Sequence, residues 1–369
     1  MLILPVSNGM KITIATGLYP PEIGGPATYT VLLEKELPKK GYEVEVVPFS
    51  WSRHLPKILR HLHFFFLILK QAKDSDLFFA QDVASVGLPT ILAAKLTGTT
   101  FFVRVPGDYA WEQASQRYGV TDSIDEFQTK KYGLRVQFLR KIQTFVTKHA
   151  DAVVTPSDYF NRLVTTWGVA GRKVHTIYNG VDLSMSPSAV EKPSSLTLVT
   201  AGRLVPWKGF SSVIKLMERL PTWNLVILGD GPEKQNLIDL VKELSLDHRV
   251  YLKGSVSRED VFGWCRTSDA FILNTHFESF SYQIVEAMYS GKPVITTNVG
   301  SIPELIQSGE EGLLFECDDL IGMESAVKSV LMDRDIWARR TKAAKAKAEK
   351  FSIQSTMDAL DELISKTKK

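Results

Sequence analysis

At 369 residues, with 44% hydrophobic and 23% charged positions, the chain has the length of two ordinary domains and the composition of a globular protein. Its two cysteines, Cys265 and Cys317, make neither a disulfide framework nor a metal pair, and no stretch is low-complexity or repeats at a solenoid period. The net charge of +3 is uneven: residues 1–187 carry 21 Lys and Arg against 16 Asp and Glu, the remainder 23 against 25. A basic first half suits an anionic acceptor or a membrane surface, and no nucleic-acid partner is expected. MLILPV is too short for a secretory apolar core and lacks a basic start. Residues 1–9 read as a disordered leader or an upstream start, and a reducing cytoplasm, extending to the inner face of a membrane, is the expected location.

KITIAT is an apolar strand. The Pro-Pro and Gly-Gly pairs after it mark an irregular loop. Pro26 fits the first turn of a helix to about Lys40, Gly41 ends it, and YEVEVVPF is the second strand. This is a βαβ unit, so a parallel sheet is expected. Gly24 and Gly25 stand just before the helix N-terminus, where the lack of Cβ lets a ligand approach the backbone. Arg53 to Lys73 is the most hydrophobic segment, interrupted by Lys57, Arg60 and Lys70. It reads as a helix covering the sheet; the alternative is an interfacial helix touching anionic lipid. DLFFAQD is the next strand, VGLPTILAAKLTG a helix, and TTFFVRVPGDYAWEQ runs off a strand into a loop. Arg104 and Asp108 are the polar groups there; a carboxylate at Asp108 would position an acceptor hydroxyl or take its proton, or else cap a turn. KHADAVVT and KVHTI close this half, followed by the Asn179-Gly180 turn.

The Pro- and Ser-rich stretch Met185 to Ser195 reads as a linker. LTLVTAGRL opens a second α/β domain. Arg203 ends its strand, and Lys208 follows before a Gly and a helix. Two cations at that place form a diphosphate clamp, Arg as a fork and Lys as a point charge. Gly229 and Gly231 of GDGP allow a sharp exit from the next strand.

Asn274 to Leu305 concentrates the chemistry. FILNT ends a buried strand, Glu278 falls in the following loop, and Ser279 is the expected N-cap of a helix over Tyr282 to Ser290. Gly291 ends that helix and Pro293 follows. A helix N-terminus offers unpaired N–H groups to phosphate. Glu286 lies roughly two turns beyond Glu278, about 12 Å along a helix axis. That is close to the span from a nucleotide's ribose to the sugar beyond its diphosphate.

Four ordered stretches, YNGVD (178–182), GRLVPWKG (202–209), GDGP (229–232) and ESFSYQIVEAMYSGKPVITTNVGSIPELI (278–306), resemble the retaining glycosyltransferases of family 4. The resemblance covers nearly the whole chain. It implies the GT-B arrangement, α/β in class: two Rossmann-like domains with parallel sheets facing an interdomain cleft. Residues 1–187 would be an acceptor-binding domain, 188–351 a nucleotide-sugar-binding domain, and 352–369 a helix crossing back to the first.

By the same resemblance the donor is a nucleotide-diphosphate sugar, UDP- or GDP-linked, with no further cofactor and no metal. Its site comprises Gly24, Gly25, Gly202, Arg203, Lys208, Gly231, Val256, Glu278, Ser279, Phe280, Ser281, Tyr282 and Glu286. Arg203 and Lys208 would neutralise the leaving diphosphate, Glu286 hold the ribose, and Glu278 orient the hexose. Asp108, Arg104 and Asn179 would serve a glycan or lipid-linked acceptor in envelope polysaccharide assembly. Two departures stand out. The histidine the family commonly carries near the reacting carbon is replaced by Pro106, and Ser281 stands where glycine is usual, adding a hydroxyl beside the sugar. The rivals are a GT-B nucleotide-sugar epimerase or hydrolase, and a non-catalytic sugar-nucleotide scaffold.

Overall fold

The computed structural model describes residues 9–367 apart from Ile23 and Ser194. The leader expected at residues 1–9 lies, Gly9 excepted, outside the described residues. The chain divides into two compact units, Met1–Tyr178 with Thr356–Lys369, and Asn179–Ser355.

The first unit runs β1 (Lys11–Thr16), α1 (Gly25–Glu36), β2 (Glu43–Pro48), α2 (Lys57–Gln71), β3 (Leu77–Ala80), α3 (Gly87–Thr97) and β4 (Thr100–Arg104). Then come α4 (Tyr109–Tyr118), α5 (Ile124–Thr129), α6 (Leu134–His149), β5 (Ala152–Thr155), α7 (Asp158–Thr166) and β6 (Val174–Thr176). Its parallel sheet has the order β2-β1-β3-β4-β5-β6. The strands LFFA and AVVT are buried throughout, as strands covered on both faces must be. Right-handed crossovers put α2 to α7 on one side of the sheet, because only the β1-to-β2 step runs the other way. The order therefore reverses between β1 and β3.

The expected sheet-covering helix is α2, but it covers with one face only. Phe64 and Ile68 are buried, while Ile58, Leu59, Leu62 and Phe66 are exposed.

The second unit runs β7 (Leu196–Ala201), α8 (Phe210–Leu216), β8 (Trp223–Leu228), α9 (Lys234–Glu243), β9 (Val250–Gly254), α10 (Arg258–Thr267) and β10 (Ala270–Leu273). It continues with α11 (Tyr282–Tyr289), β11 (Val294–Thr297), α12 (Ile302–Leu305), β12 (Leu313–Phe315), α13 (Leu320–Met332) and α14 (Arg334–Ala348). The parallel order β12-β11-β10-β7-β8-β9 reverses between β7 and β10. Leu198, Leu225, Ile227 and Ile272 from the strands pack against Phe210, Val213, Leu237 and Val327 from the helices. The last helix, α15 (Ile353–Lys366), carries two contacts within the first unit: Thr356 Oγ1 donates to the Tyr178 carbonyl at 2.8 Å, and Tyr42 Oη donates to Asp361.

Candidate functional site

In an open parallel sheet, loops leaving neighbouring strands in opposite directions separate at the reversal point and leave a crevice at the strands' C-terminal ends. In the second unit that point lies between β7 and β10. The loop after β7 carries Gly202, Arg203 and Lys208; the loop after β10 carries Asn274 to Ser281. The residues expected for a diphosphate and for a hexose are thus brought side by side.

Lys208 Nζ and Glu278 Oε2 form an ion pair, with side chains only 12% and 11% exposed. Arg203 is exposed, and no side-chain hydrogen bond or ion pair of it is found among the described residues. Asn274, fully buried, braces the two loops: its Nδ2 donates to the Gly209 carbonyl at 3.2 Å and to Asp318 Oδ1 at 2.7 Å. The Trp207 carbonyl accepts from His276 N and from Thr275 Oγ1. Gly209 has φ +55°, and a Cβ there would stand 2.2 Å from the Asn274 carbonyl oxygen, so only glycine lets the loops meet. Gly231 has a comparable part, since its Cβ would lie 2.3 Å from the Leu204 carbonyl oxygen. This glycine admits the neighbouring loop, which is a sufficient reason for GDGP without a ligand.

Two readings of α11 need correction. The N-cap is Ser281, not Ser279: the Ser281 hydroxyl accepts from Ile284 N at 3.4 Å, and the side chain is buried. It is spent on the helix end rather than presented to a sugar. The helix begins at Tyr282, so Glu278 is in a loop and the two-turn axial spacing to Glu286 does not apply. Phe280 is also inward, packed edge-on against Tyr282 and Phe351. Ser279 is half-buried in the loop.

Glu286 is 1% exposed, and its Oε1 accepts from Arg258 Nε at 3.1 Å and from Arg258 Nη2. Burial pushes its pKa above the usual carboxylate range, and the guanidinium opposes that shift. Sequence reading missed Arg258. It is the first residue of α10, inside the capping box of Ser257 with Asp260 and two positions after Val256 of the β9–α10 loop. The capping box predicts a helix start there, but not which side chain reaches Glu286.

In the first unit the reversal point lies between β1 and β3. Gly24 caps α1, and a Cβ on Gly25 would meet nothing within 4 Å among the described residues beyond its chain neighbours. Pro106 and Gly107 follow β4, at the place expected for the histidine. Asp108 is fully buried. Its Oδ1 accepts from Trp111 N at 3.0 Å and Gln143 Nε2 at 3.1 Å, and its Oδ2 accepts from Gln128 Nε2 at 2.9 Å. It caps α4 and is enclosed, which replaces the expectation of an acceptor-facing group. Arg104 is also withdrawn from solvent, its guanidinium stacked 3.9 Å over Tyr29. Asn179 is buried in the turn after β6.

The more accessible carboxylate is Glu112, one turn into α4. It is half-buried, lies against Gly107, and its side chain makes no hydrogen bond or ion pair among the described residues. Its pKa is pushed up to about 7, chiefly by desolvation and then by the neighbouring charges of Asp108 and Asp82.

The family described as Glycosyltransferase Family 4 matches residues 23–185, and that described as Glycosyl transferases group 1 matches 181–350. Glycogen synthase of Mycobacterium tuberculosis is 28% identical over 211 residues, 55% of this chain and 51% of that one, so the match spans about half the relative's length. N-acetyl-alpha-D-glucosaminyl L-malate synthase of Bacillus anthracis is 24% identical over 346 residues, 89% of each chain. Among solved structures, the Anabaena protein HepE in complex with UDP and glucose superposes with a TM-score of 0.77 at 19% identity, covering 96% of this chain and 99% of that one. Two six-stranded parallel sheets, two matched regions in tandem and these neighbours agree: the chain belongs to the GT-B glycosyltransferases, with a Glycosyltransferase Family 4 region followed by a Glycosyl transferases group 1 region.

Proposed function

We propose that the protein is a retaining hexosyltransferase that takes its donor from a UDP- or GDP-sugar and its acceptor from a glycan or a lipid-linked glycan. The observation that carries the reading is the Lys208–Glu278 pair at the reversal point of the second sheet, with Arg203 exposed on the same loop. Lys208 and Arg203 would hold the diphosphate. Because Glu278 is in contact with Lys208, a phosphate bound by Lys208 would have its sugar end near that carboxylate. Glu286, oriented by Arg258, would accept hydrogen bonds from the ribose. HepE, a neighbour in fold, holds UDP and glucose, which supports a nucleotide sugar as donor.

The bond from the anomeric carbon to the β-phosphate oxygen breaks, and the acceptor oxygen attacks from the same face. The acceptor proton passes to the departing phosphate, whose new charge the two cations neutralise before it leaves as nucleoside diphosphate. Retention follows from same-face attack and needs no second nucleophilic carboxylate. On the acceptor side Glu112 takes the orienting role that Asp108, enclosed by its partners, cannot perform. A small hydroxy acid is the second acceptor class, favoured by the match to the malate synthase over 89% of each chain.

The test is to screen UDP- and GDP-hexoses with a lipid extract and with hydroxy acids, then analyse the product by mass spectrometry and NMR. A product with the donor's anomeric configuration supports the reading. An inverted product overturns the mechanism, and a free sugar or an epimerised donor as sole product favours the hydrolase or epimerase reading.

A further inference from the structure

The first unit leaves an apolar, cationic face uncovered. On α2, Ile58, Leu62 and Phe66 follow one another by a single turn and form one outward stripe, with Ile58 83% exposed and Leu59 beside it. α3 packs against α2, and α6 packs against α3, as successive crossovers on one side of the sheet do. α3 exposes Leu92 and Leu96, and α6 exposes Leu134 at 90% and Phe138 at 63%. Lys95 of α3 lies 4.9 Å from the centre of the Phe145 ring of α6, joining the two helices.

The charge on this face has one sign. No Asp or Glu occurs within α2, α3 or α6. Lys57 and Lys70 stand exposed at the two ends of the α2 stripe, and Lys95, Arg135, Lys141 and Lys148 are exposed on its neighbours. Single exposed leucines are ordinary, but a contiguous patch rimmed by polar groups marks an interaction surface. A second copy seated on it would set Lys and Arg against Lys and Arg. An anionic headgroup layer above acyl chains complements both the charge and the apolar stripe. Among the described residues no helix is long and apolar enough to cross a membrane, so such a contact stays in the interface.

The face also has a fixed relation to the acceptor end of its own unit. α2 and α6 both begin at the C-terminal edge of the sheet, where Gly17, Asp82 and Glu112 lie. Arg53, just before α2, donates to the Gly17 carbonyl and pairs with Glu22.

We propose that the first unit docks on an anionic lipid bilayer through the α2, α3 and α6 face. Ile58, Leu62, Phe66, Leu134 and Phe138 enter the headgroup region, and Lys57, Lys95, Arg135 and Lys141 bind the anionic headgroups. This deepens the lipid-linked-acceptor reading and rests on it for its purpose, since docking would bring the acceptor end of the unit to the lipid surface.

The test is flotation of the full chain with vesicles of phosphatidylcholine alone and of phosphatidylcholine mixed with phosphatidylglycerol. Binding is expected only to the mixed vesicles. It should fall about tenfold or more in Leu62→Ser with Phe66→Ser, in Lys57→Glu with Arg135→Glu, and on raising salt to about 0.5 M. No binding to mixed vesicles at low salt, equal binding to both kinds, or undiminished binding of either double variant overturns the proposal. So does a dimer in solution that the Leu62→Ser, Phe66→Ser variant splits. Donor binding measured without vesicles reads the other claim: both variants should keep it, which shows them folded. A wild-type protein that floats but binds no nucleotide sugar would overturn the transferase reading and leave the docking surface standing.

Discussion

Lys208 and Glu278, 70 residues apart in sequence, meet as an ion pair with both side chains nearly buried. Exposed pairs contribute little, whereas in a pair this enclosed removing one partner strands the other. The two substitutions should therefore behave differently. Lys208→Ala removes the proposed phosphate cation and would leave Glu278 near the bound anion, so nucleotide affinity and transfer should both fall, transfer by about 10²- to 10³-fold. Glu278→Gln keeps the volume and frees Lys208, so nucleoside diphosphate binds at least as tightly while transfer falls by about 10²- to 10³-fold. Calorimetric titration beside a turnover assay separates these outcomes.

Arg258 is expected to matter for stability as well as for donor binding. In Arg258→Ala the buried Glu286 carboxylate has no counter-charge, and the loss should reach about 3 kcal/mol, the low end for a broken buried pair. Burial then raises the Glu286 pKa further, so the native state holds a proton that the unfolded state releases. Stability lost by that route is absent below the unfolded value and grows as pH rises towards the folded one. Denaturant unfolding of the variant and wild type at pH 5 and pH 8 checks this, with the larger deficit expected at pH 8.

Asp108 is assigned to structure. Asp108→Ala removes the α4 cap and strands the donors of Gln128 and Gln143, which should cost about 2–4 kcal/mol. The transfer rate per folded molecule should stay within a few-fold of wild type, measured at a temperature where both are folded. A rate loss of about a hundredfold or more without unfolding would restore the acceptor role.

Glu112 provides a pH signature of opposite sign to an ordinary salt-bridged acid. Its folded-state pKa of about 7 lies above the usual value of 4.5. Between those values the native state binds more protons than the unfolded state, so stability is full below about 4.5 and declines as pH rises to about 7. Glu112→Gln should therefore stabilise the protein by about 1–3 kcal/mol at pH 8 and leave it nearly unchanged at pH 4. Thermal melts at the two pH values read the difference directly.

The alternation of strands and helices was legible because buried parallel strands such as LFFA and AFIL are continuous apolar runs set off by Gly, Pro and capping residues. Arg203, Lys208 and Glu278 were legible as a group only through the family resemblance; nothing local shows that a residue after β7 meets one after β10. The same limit hid Arg258 and Asn274, whose partners lie 28 and 65 positions away. The enclosure of Asp108 is hidden from the sequence for a related reason. Its cap to Trp111 is local, but the enclosure that withdraws it from an acceptor comes from Gln128 and Gln143, on α5 and α6. Ser279 and Ser281 are equally good caps by type, and only the packed start of α11 decides between them. The hydrophobicity of α2 was evident, whereas the division into a buried and an exposed face required the sheet beneath it.

Arg203, Lys208 and Glu278 are proposed to form the donor site of a transferase. Release of nucleoside diphosphate from UDP- and GDP-hexoses by the wild type and by Glu278→Gln tests it most directly. Conversion of a nucleotide sugar by the wild type is expected, with a rate about 10²- to 10³-fold lower in the variant. A wild-type protein that neither binds nor cleaves any of these donors, or a Glu278→Gln variant as fast as the wild type, would contradict it.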